Sequence, residues 1–293
     1  MGQNDRMEPL SLVRQGFGAM RLREDETNDL DRDPFEVIGA VLDAGVTMID
    51  TADMYGNEDL VGRAIAGRRG EVLLASKFGV VWNDSIPDGY DVRADPSYVR
   101  QACEASLRRL QTDHIELYYL HHRSATTLIE ETVGAMADLI AEGKVGALGL
   151  SNVTAGDLRR ADAVHPITAL QEHWSLTERS LERDLVPTAA RLGVTVVAHS
   201  PTSHGALHDD GGDEVGADRH RLLREIAATH GVSTGQVAIA WAHSRADAHD
   251  LRVVPLPGTT SVDHARSNVA AGALVLTAVE LAQLTEAWAP KPH

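Results

Sequence analysis

The 293-residue sequence predicts an α/β fold, a (β/α)8 barrel of the TIM type built as a single domain over residues 1–293. Three observations lead there. Short apolar, β-rich runs alternate with helix-like segments along the whole chain, as in a parallel sheet covered on both faces. Eight such runs can be counted, and a chain of this length suits one barrel of about 250 residues. No Gly-x-Gly-x-x-Gly turn follows an early strand, which counts against an open doubly wound sheet.

The elements follow in order. Arg14-Gln15-Gly16-Phe17-Gly18 is the first short strand, and Asp33-Pro34 opens a helix with Phe35, Ile38, Val41 and Leu42 at helical spacing. A strand over 46–50 leads to a helix over 57–67, and a strand over 72–77 to an insertion from Gly79 to Ala94. Asp95-Pro96 opens the next helix, with Val99, Cys103, Leu107 and Leu110 on its apolar face. Strands over 114–120, 145–150 and 167–171 alternate with a helix over 127–142 and one whose Thr154-Ala155-Gly156-Asp157 has capping-box form. A helix over 178–192 and a strand over 194–199 precede a second insertion, Thr202 to Ala217. Helices over 219–230 and 234–244, a strand over 252–256 and a helix over 262–271 come next, and Thr277-Ala278-Val279-Glu280 caps the last helix. Both insertions, 79–94 and 202–217, fall where a barrel carries its active-site loops. The acidic run Asp209-Asp210-Gly211-Gly212-Asp213-Glu214 lacks the alternating ligands of a calcium loop, and no metal is expected.

Composition excludes several classes of function. Lys plus Arg number 27 against 43 acids, a net charge of −16, which argues against nucleic acid or an anionic membrane as partner. Cys103 is the only cysteine; it excludes an internal disulfide and reads as a core residue rather than a reactive thiol. Met1 to Arg6 are polar, unlike a signal peptide, and no apolar stretch reaches the roughly 20 residues of a membrane span. The expected location is cytoplasmic; the oligomeric state is left open.

The chemistry concentrates at strand ends. Asp50 closes one strand, and Tyr55 follows five residues later on a tight loop before Gly56. Lys77 closes the next strand and His121 the one after it. A phenol with a pKa of about 10 is useful only if something lowers it, which a neighbouring ammonium does. Singly, each residue has a plain structural reading: a helix cap, a loop tyrosine, a solvated lysine, a core histidine. Their order on successive strand ends changes that. Tyr118 and Tyr119 read as packing, and of His121 and His122 alternation lets only one face the pocket.

Asp50, Tyr55, Lys77 and His121 in this order resemble the tetrad of the aldo-keto reductases. The resemblance extends along the chain. Gly16-Phe17-Gly18-Ala19-Met20 is similar to the family's first-strand segment, implying that Gly18, Ala19 and Met20, with Asp50, lie beside the nicotinamide. The segment Gly143 to Asn152 resembles its fifth-strand signature, implying that Ser151 and Asn152, completed by Gln171, hold the carboxamide. A carboxamide has one acceptor and two donors, which suits such side chains. His199, Ser200, Pro201 and Thr202 match the segment that stacks on the nicotinamide and grips the pyrophosphate. Pro257, Gly258, Thr259, Thr260, Ser261, His264 and Asn268 match the surroundings of the adenosine ribose.

The resemblance implies an NADPH-dependent reductase that transfers a hydride to a small aldehyde, ketone or sugar-like carbonyl. Tyr55 is then the general acid, Lys77 lowers its pKa, Asp50 holds Lys77, and His121 orients the carbonyl. NADP(H) is the expected cofactor, with NAD(H) as the alternative. The chain departs from the pattern at His199, where an aromatic is usual, at His173 and Trp174, and in lacking Arg or Lys between Gly258 and His264. Hydroxyls of Thr259, Thr260 and Ser261, with Arg266, predict a modest NADPH preference, to which His264 adds only when protonated. Trp82, Tyr90, Trp174 and the loop around His204 and Leu207 are expected to line the pocket beside Tyr55 and His121, favouring an aromatic or extended apolar substrate. The competing readings are an alcohol or sugar dehydrogenase, a cofactor-sensing regulatory barrel subunit, and a lyase with Lys77 as Schiff-base nucleophile.

Overall fold

A computed structural model describes residue 10 and residues 13–24, 31–86, 89–208 and 216–289. The strands are β1 (Gly16–Gly18), β2 (Met48–Asp50), β3 (Leu73–Phe78), β4 (Val80–Trp82), β5 (Tyr90–Val92), β6 (Ile115–Leu120), β7 (Val145–Ser151), β8 (Ala169–His173), β9 (Thr195–His199) and β10 (Val253–Leu256). All except β4 and β5 form one eight-stranded parallel sheet in the order β1-β2-β3-β6-β7-β8-β9-β10. Closure comes where β10 meets β1: the Gly18 N–H donates to Pro257 O at 3.0 Å. A Cβ on Gly16 would lie 2.6 Å from Leu256 Cδ1, and one on Gly258 would lie 2.5 Å from Gly18 O. Glycine at both positions lets the last strand approach the first.

Strand alternation divides the core in two. Met48, Ala75, Leu117, Tyr119, Ala147, Ala169, Val197 and Val254 fill the barrel interior, joined by Leu10 and Val13. Ile49, Leu74, Tyr118, Leu148, Leu170 and Val196 point outward into the layer beneath the helices. The Tyr119 ring occupies space that a Cβ on Gly149 would invade at 2.3 Å.

The helices are α1 (Pro34–Asp43), α2 (Glu58–Ile65), α3 (Pro96–Leu110), α4 (Ile129–Ala141), α5 (Ala155–Val164), α6 (Leu185–Leu192), α7 (Ala217–His230), α8 (Thr234–His249), α9 (Val262–Ala270) and α10 (Ala278–Ala287). The caps read from sequence are present. Asp33 accepts from Phe35 N at 2.8 Å and Asp95 from Tyr98 N at 3.0 Å, and capping boxes open α5 and α10. Cys103 is buried on α3, and burial pushes its thiol pKa up to about 12. None of the described helices is long and apolar enough to cross a membrane.

Three elements differ from expectation. The helix expected over 178–192 starts only at Leu185, after a single 3-10 turn at Ser180–Glu182. Pro187 explains this: proline lacks the N–H that a helix interior needs, and is tolerated in the first turn. The segment over 57–67 leaves α-helical form after Ile65 for a 3-10 stretch, Ala66–Glu71, that contains Gly67 and Gly70. The insertion 79–94 is no plain loop, because β4 and β5 pair antiparallel within it. Alternation in Val80-Val81-Trp82 and Tyr90-Asp91-Val92 between Gly79 and Gly89 is the signal that identifies such a hairpin. The acidic residues 209–214 and Pro87 lie outside the described residues.

Candidate active site

The interior-facing positions of successive strands continue upward into the polar residues predicted to carry function. Met48 leads two residues on to Asp50, Ala75 to Lys77, Tyr119 to His121, Gly149 to Ser151, Ala169 to Gln171 and Val197 to His199. The period of two that fills the barrel with apolar side chains thus sets one polar layer at its carboxyl end.

Lys77 lies at the centre. Its side chain is fully buried, and its Nζ forms an ion pair with the Asp50 carboxylate. The ammonium also donates to Thr51 O at 2.9 Å and to Tyr55 Oη at 3.5 Å, so all three of its donors are used. The other Asp50 oxygen accepts from Gln171 Nε2 at 2.9 Å, a link from tetrad to clamp that sequence did not suggest. Burial works against the Lys77 ammonium, but Asp50 and Tyr55 outweigh it and hold its pKa above the usual lysine value.

Tyr55 ends the 3-10 turn Asp53–Tyr55, closed by Gly56 in the left-handed region at φ 68°. Asn57, which sequence reading passed over, secures this loop: its Nδ2 donates to Ala19 O at 2.8 Å, while Thr51 Oγ1 donates to its Oδ1 at 2.7 Å. Asp53 accepts from Met54 N at 2.6 Å, and burial raises its pKa to about 7. Lys77 does pull the Tyr55 pKa down, as expected. Burial is the larger effect, however, and the phenol stands above its usual 10.0. The expectation of a net lowering is therefore corrected: the resting phenol keeps its proton.

The imidazole of His121 meets the Tyr55 ring edge-on, with centroids 5.7 Å apart. Its pKa is pushed down to about 2, first by burial and then by Lys77, His122 and His199, so the ring is neutral. Its buried Nδ1 has no hydrogen-bond partner among the described residues. His122 was expected to face away, yet its ring lies 5.4 Å from that of His121 and 5.5 Å from that of Tyr90. Strand β6 ends at Leu120, so alternation no longer applies there.

Ser151, Asn152 and Gln171 converge beside Asp50. Asn152 takes φ 53° and donates from Nδ2 to His121 O at 2.9 Å and Ser151 Oγ at 3.0 Å. These bonds leave the Ser151 hydroxyl proton as donor, and Asn152 Oδ1 and Gln171 Oε1 as acceptors. That set is complementary to one carboxamide, and a nicotinamide would fit it. Outside the barrel, half-buried Glu172 accepts from Val153 N at 3.2 Å, and desolvation raises its pKa to about 7.

His199 stacks on His173, with centroids 5.5 Å apart and planes 22° off parallel, and its Nδ1 bonds Ser200 Oγ at 3.1 Å. Burial, aided by His173, Lys77 and His204, lowers its pKa to about 3. Ser200, Ser203 and His204 all take left-handed backbone angles without being glycine. Pro201 is buried beneath this turn and Thr202 is half-buried. Among the described residues no group of three His, Cys, Asp or Glu is arranged to hold a metal ion.

Two expected pocket residues lie elsewhere. Trp174 is fully buried, donates from Nε1 to Glu182 at 3.0 Å and packs against His249. It follows the end of β8, where the chain turns out of the barrel into the helical layer. Leu207 is likewise fully buried in the core. Trp82, 62% exposed, donates from Nε1 to Met54 O at 3.3 Å, beside the Tyr55 loop. Ala19 is buried and Met20 exposed.

Farther out, Pro257 is buried, Gly258 exposed, and Thr259 and Thr260 half-buried. Thr259 Oγ1 accepts from Ser261 N at 3.2 Å, and Ser261 Oγ caps α9 through His264 N at 3.2 Å. Asn268, on α9, is buried and accepts at its backbone O from Gln15 Nε2 at 2.9 Å.

The fold and sequence have close counterparts. An aldo/keto reductase of Klebsiella pneumoniae, solved with NADP and acetate, is 31% identical, covers 96% of this chain and 93% of its own, and superposes with a TM-score of 0.80. The holo form of an aldo-keto reductase from Bacillus halodurans is 30% identical over 94% of this chain and 91% of its own, at 0.79. A glycerol dehydrogenase of Gluconobacter oxydans shares the fold at 0.81 with 23% identity, over 96% of this chain and 93% of its own. The sequence profile of the Aldo/keto reductase family matches residues 15–289. That match begins just before β1 and ends just past α10, so the whole barrel is included, and the chain belongs to the aldo/keto reductase family of oxidoreductases.

Proposed function

We propose that this protein is an NADPH-dependent reductase of small aldehyde, ketone or sugar-like carbonyls, with Tyr55 as the general acid. One observation carries the reading: a fully buried ammonium, Lys77, shared between the Asp50 carboxylate and the Tyr55 phenol. The two Klebsiella pneumoniae structures, with NADP and with NADPH, support the choice of cofactor.

When bound, the reduced nicotinamide supplies the hydride. The Ser151 hydroxyl would donate to its carboxamide, Asn152 Oδ1 and Gln171 Oε1 would accept from it, and the neutral His199 face backed by His173 would offer a flat platform. Tyr55 Oη gives its proton to the substrate oxygen as negative charge develops there. Lys77 then stabilises the phenolate, and Asp50 keeps the ammonium charged and in place. Neutral His121 lends one ring N–H to the same oxygen.

The buried Tyr55 phenol keeps its proton at rest, the state a general acid needs, and the dehydrogenase reading uses the same group in reverse as the base. The protonated state of Lys77 weighs against a Schiff-base lyase, which needs a free amine. Exposed Trp82, with Tyr90, supports an aromatic or extended apolar substrate. An NADPH-oxidation screen over aldehydes, diketones, quinones, keto-sugars and pyridoxal tests the proposal. Saturable NADPH binding without turnover of any of them would favour the regulatory subunit instead.

A further inference from the structure

We propose that Asp31 is a cofactor-specificity residue that opposes a 2′-phosphate at the first turn of α9 and so narrows the preference for NADPH over NADH. The inference rests on the reading above that a nicotinamide dinucleotide lies with its adenosine end at this helix. A helix N-terminus attracts phosphate through N–H groups that lack intrahelical partners. In α9 those groups are already engaged. Val262 N donates to Asp31 O at 2.8 Å, Asp263 N to Asp31 Oδ1 at 3.0 Å, and His264 N to Ser261 Oγ at 3.2 Å. The Ser261 side chain also bonds the Asp31 carboxylate, so one of the three hydroxyls that sequence reading assigned to the 2′-phosphate is committed within the chain.

The carboxylates here act against a 2′-phosphate, while His264 and Arg32, the cations nearest Asp31, act for it and more weakly on Asp31 than its two hydrogen-bond donors. The Asp263 N–H, then Ser261, hold the Asp31 carboxyl below the usual carboxylate range. Asp263 adds a second carboxylate on the same turn, and Arg266, 3.7 Å from it, faces solvent. A 2′-phosphate arriving here meets a carboxylate already seated on the helix end. A ribose 2′-hydroxyl, by contrast, can donate to that carboxylate, the recognition that acidic residues give NAD in other dinucleotide folds.

The test compares Asp31→Asn, which keeps an uncharged acceptor for Asp263 N, and Asp31→Ser, a short neutral cap, with wild type. Dissociation constants for NADPH, NADH and the 2′-phosphorylated fragment 2′,5′-ADP are read by calorimetry and fluorescence quenching on the full chain. Both variants are expected to tighten NADPH and 2′,5′-ADP about five- to tenfold and to weaken NADH, Asp31→Ser more than Asp31→Asn, because the 2′-hydroxyl loses a charged acceptor. An unchanged NADPH-to-NADH ratio in folded variants, or weaker NADPH, overturns the role of Asp31. Failure of wild type to bind either dinucleotide would instead overturn the reading on which it rests.

Discussion

The two ends of the proposed cofactor cleft are built by different means. At the catalytic end, Asp50, Lys77, Ser151, Gln171 and His199 stand on strands of one sheet and His121 directly follows another, so all lie at the same end of the barrel. Their charges are buried and paired, with Lys77 and Asp50 side chains 1% and 3% exposed. At the adenosine end the groups come from turns and a helix terminus, and Asp31 and Asp263 reach them from distant parts of the sequence or face solvent. In the proposed reading the sheet sets the chemistry, whereas cofactor choice rests on a few charges at the periphery. A family built this way can keep its reaction while altering its cofactor preference.

The comparison makes graded predictions, the largest at the sheet. Tyr55→Phe should lower turnover about 10²–10⁴-fold while NADPH binding stays close to wild type. Turnover within a few-fold of wild type, with chemistry rate-limiting, would remove Tyr55 from the mechanism. Lys77→Met leaves Asp50 as a buried unpaired charge and should cost about 3–5 kcal/mol of stability, measurable by urea denaturation. In the oxidative direction its acid limb should also move to higher pH, since the phenol loses the ammonium that pulls its pKa down. An unmoved limb would break the proposed coupling.

Trp174→Ala should destabilise by about 3–5 kcal/mol through the cavity it leaves, yet leave KM for carbonyl substrates unchanged in the folded variant. A changed substrate profile would return Trp174 to the pocket. The smallest effect concerns Glu172, whose pKa is raised by burial to about 7. The folded protein then binds the extra proton, so stability falls as pH rises from the ordinary carboxylate range through about 7. Glu172→Gln keeps an acceptor for Val153 N without the charge. It should gain about 1–2 kcal/mol over wild type at alkaline pH and little at acid pH; a pH-independent difference would refute the assignment.

Much of the catalytic end was legible in the sequence because a period of two is local. Once strand ends are located, the facing of Asp50, Lys77 and Gln171 follows from counting, and Asp33, Asp95, Thr154 and Thr277 mark helix starts by chemistry confined to one turn. Counting fails where the strand stops, as at His122 and Trp174. The direction of the Tyr55 pKa depends on depth of burial, which no local pattern encodes. Asp31 meets α9 across 232 residues of intervening sequence, so nothing near either partner announces the contact. The antiparallel hairpin was visible in principle, but its strands are three residues each.

The Tyr119 ring, admitted by Gly149 and lying 6.0 Å below the Lys77 Nζ, closes the barrel under the reacting atoms. That floor cannot be lowered without hollowing a close-packed interior. A bulkier or longer substrate must therefore be accommodated upward, among Trp82, Tyr90 and the residues around His204. Laboratory evolution toward new substrates should accordingly collect its useful changes in the loops and leave the strands untouched.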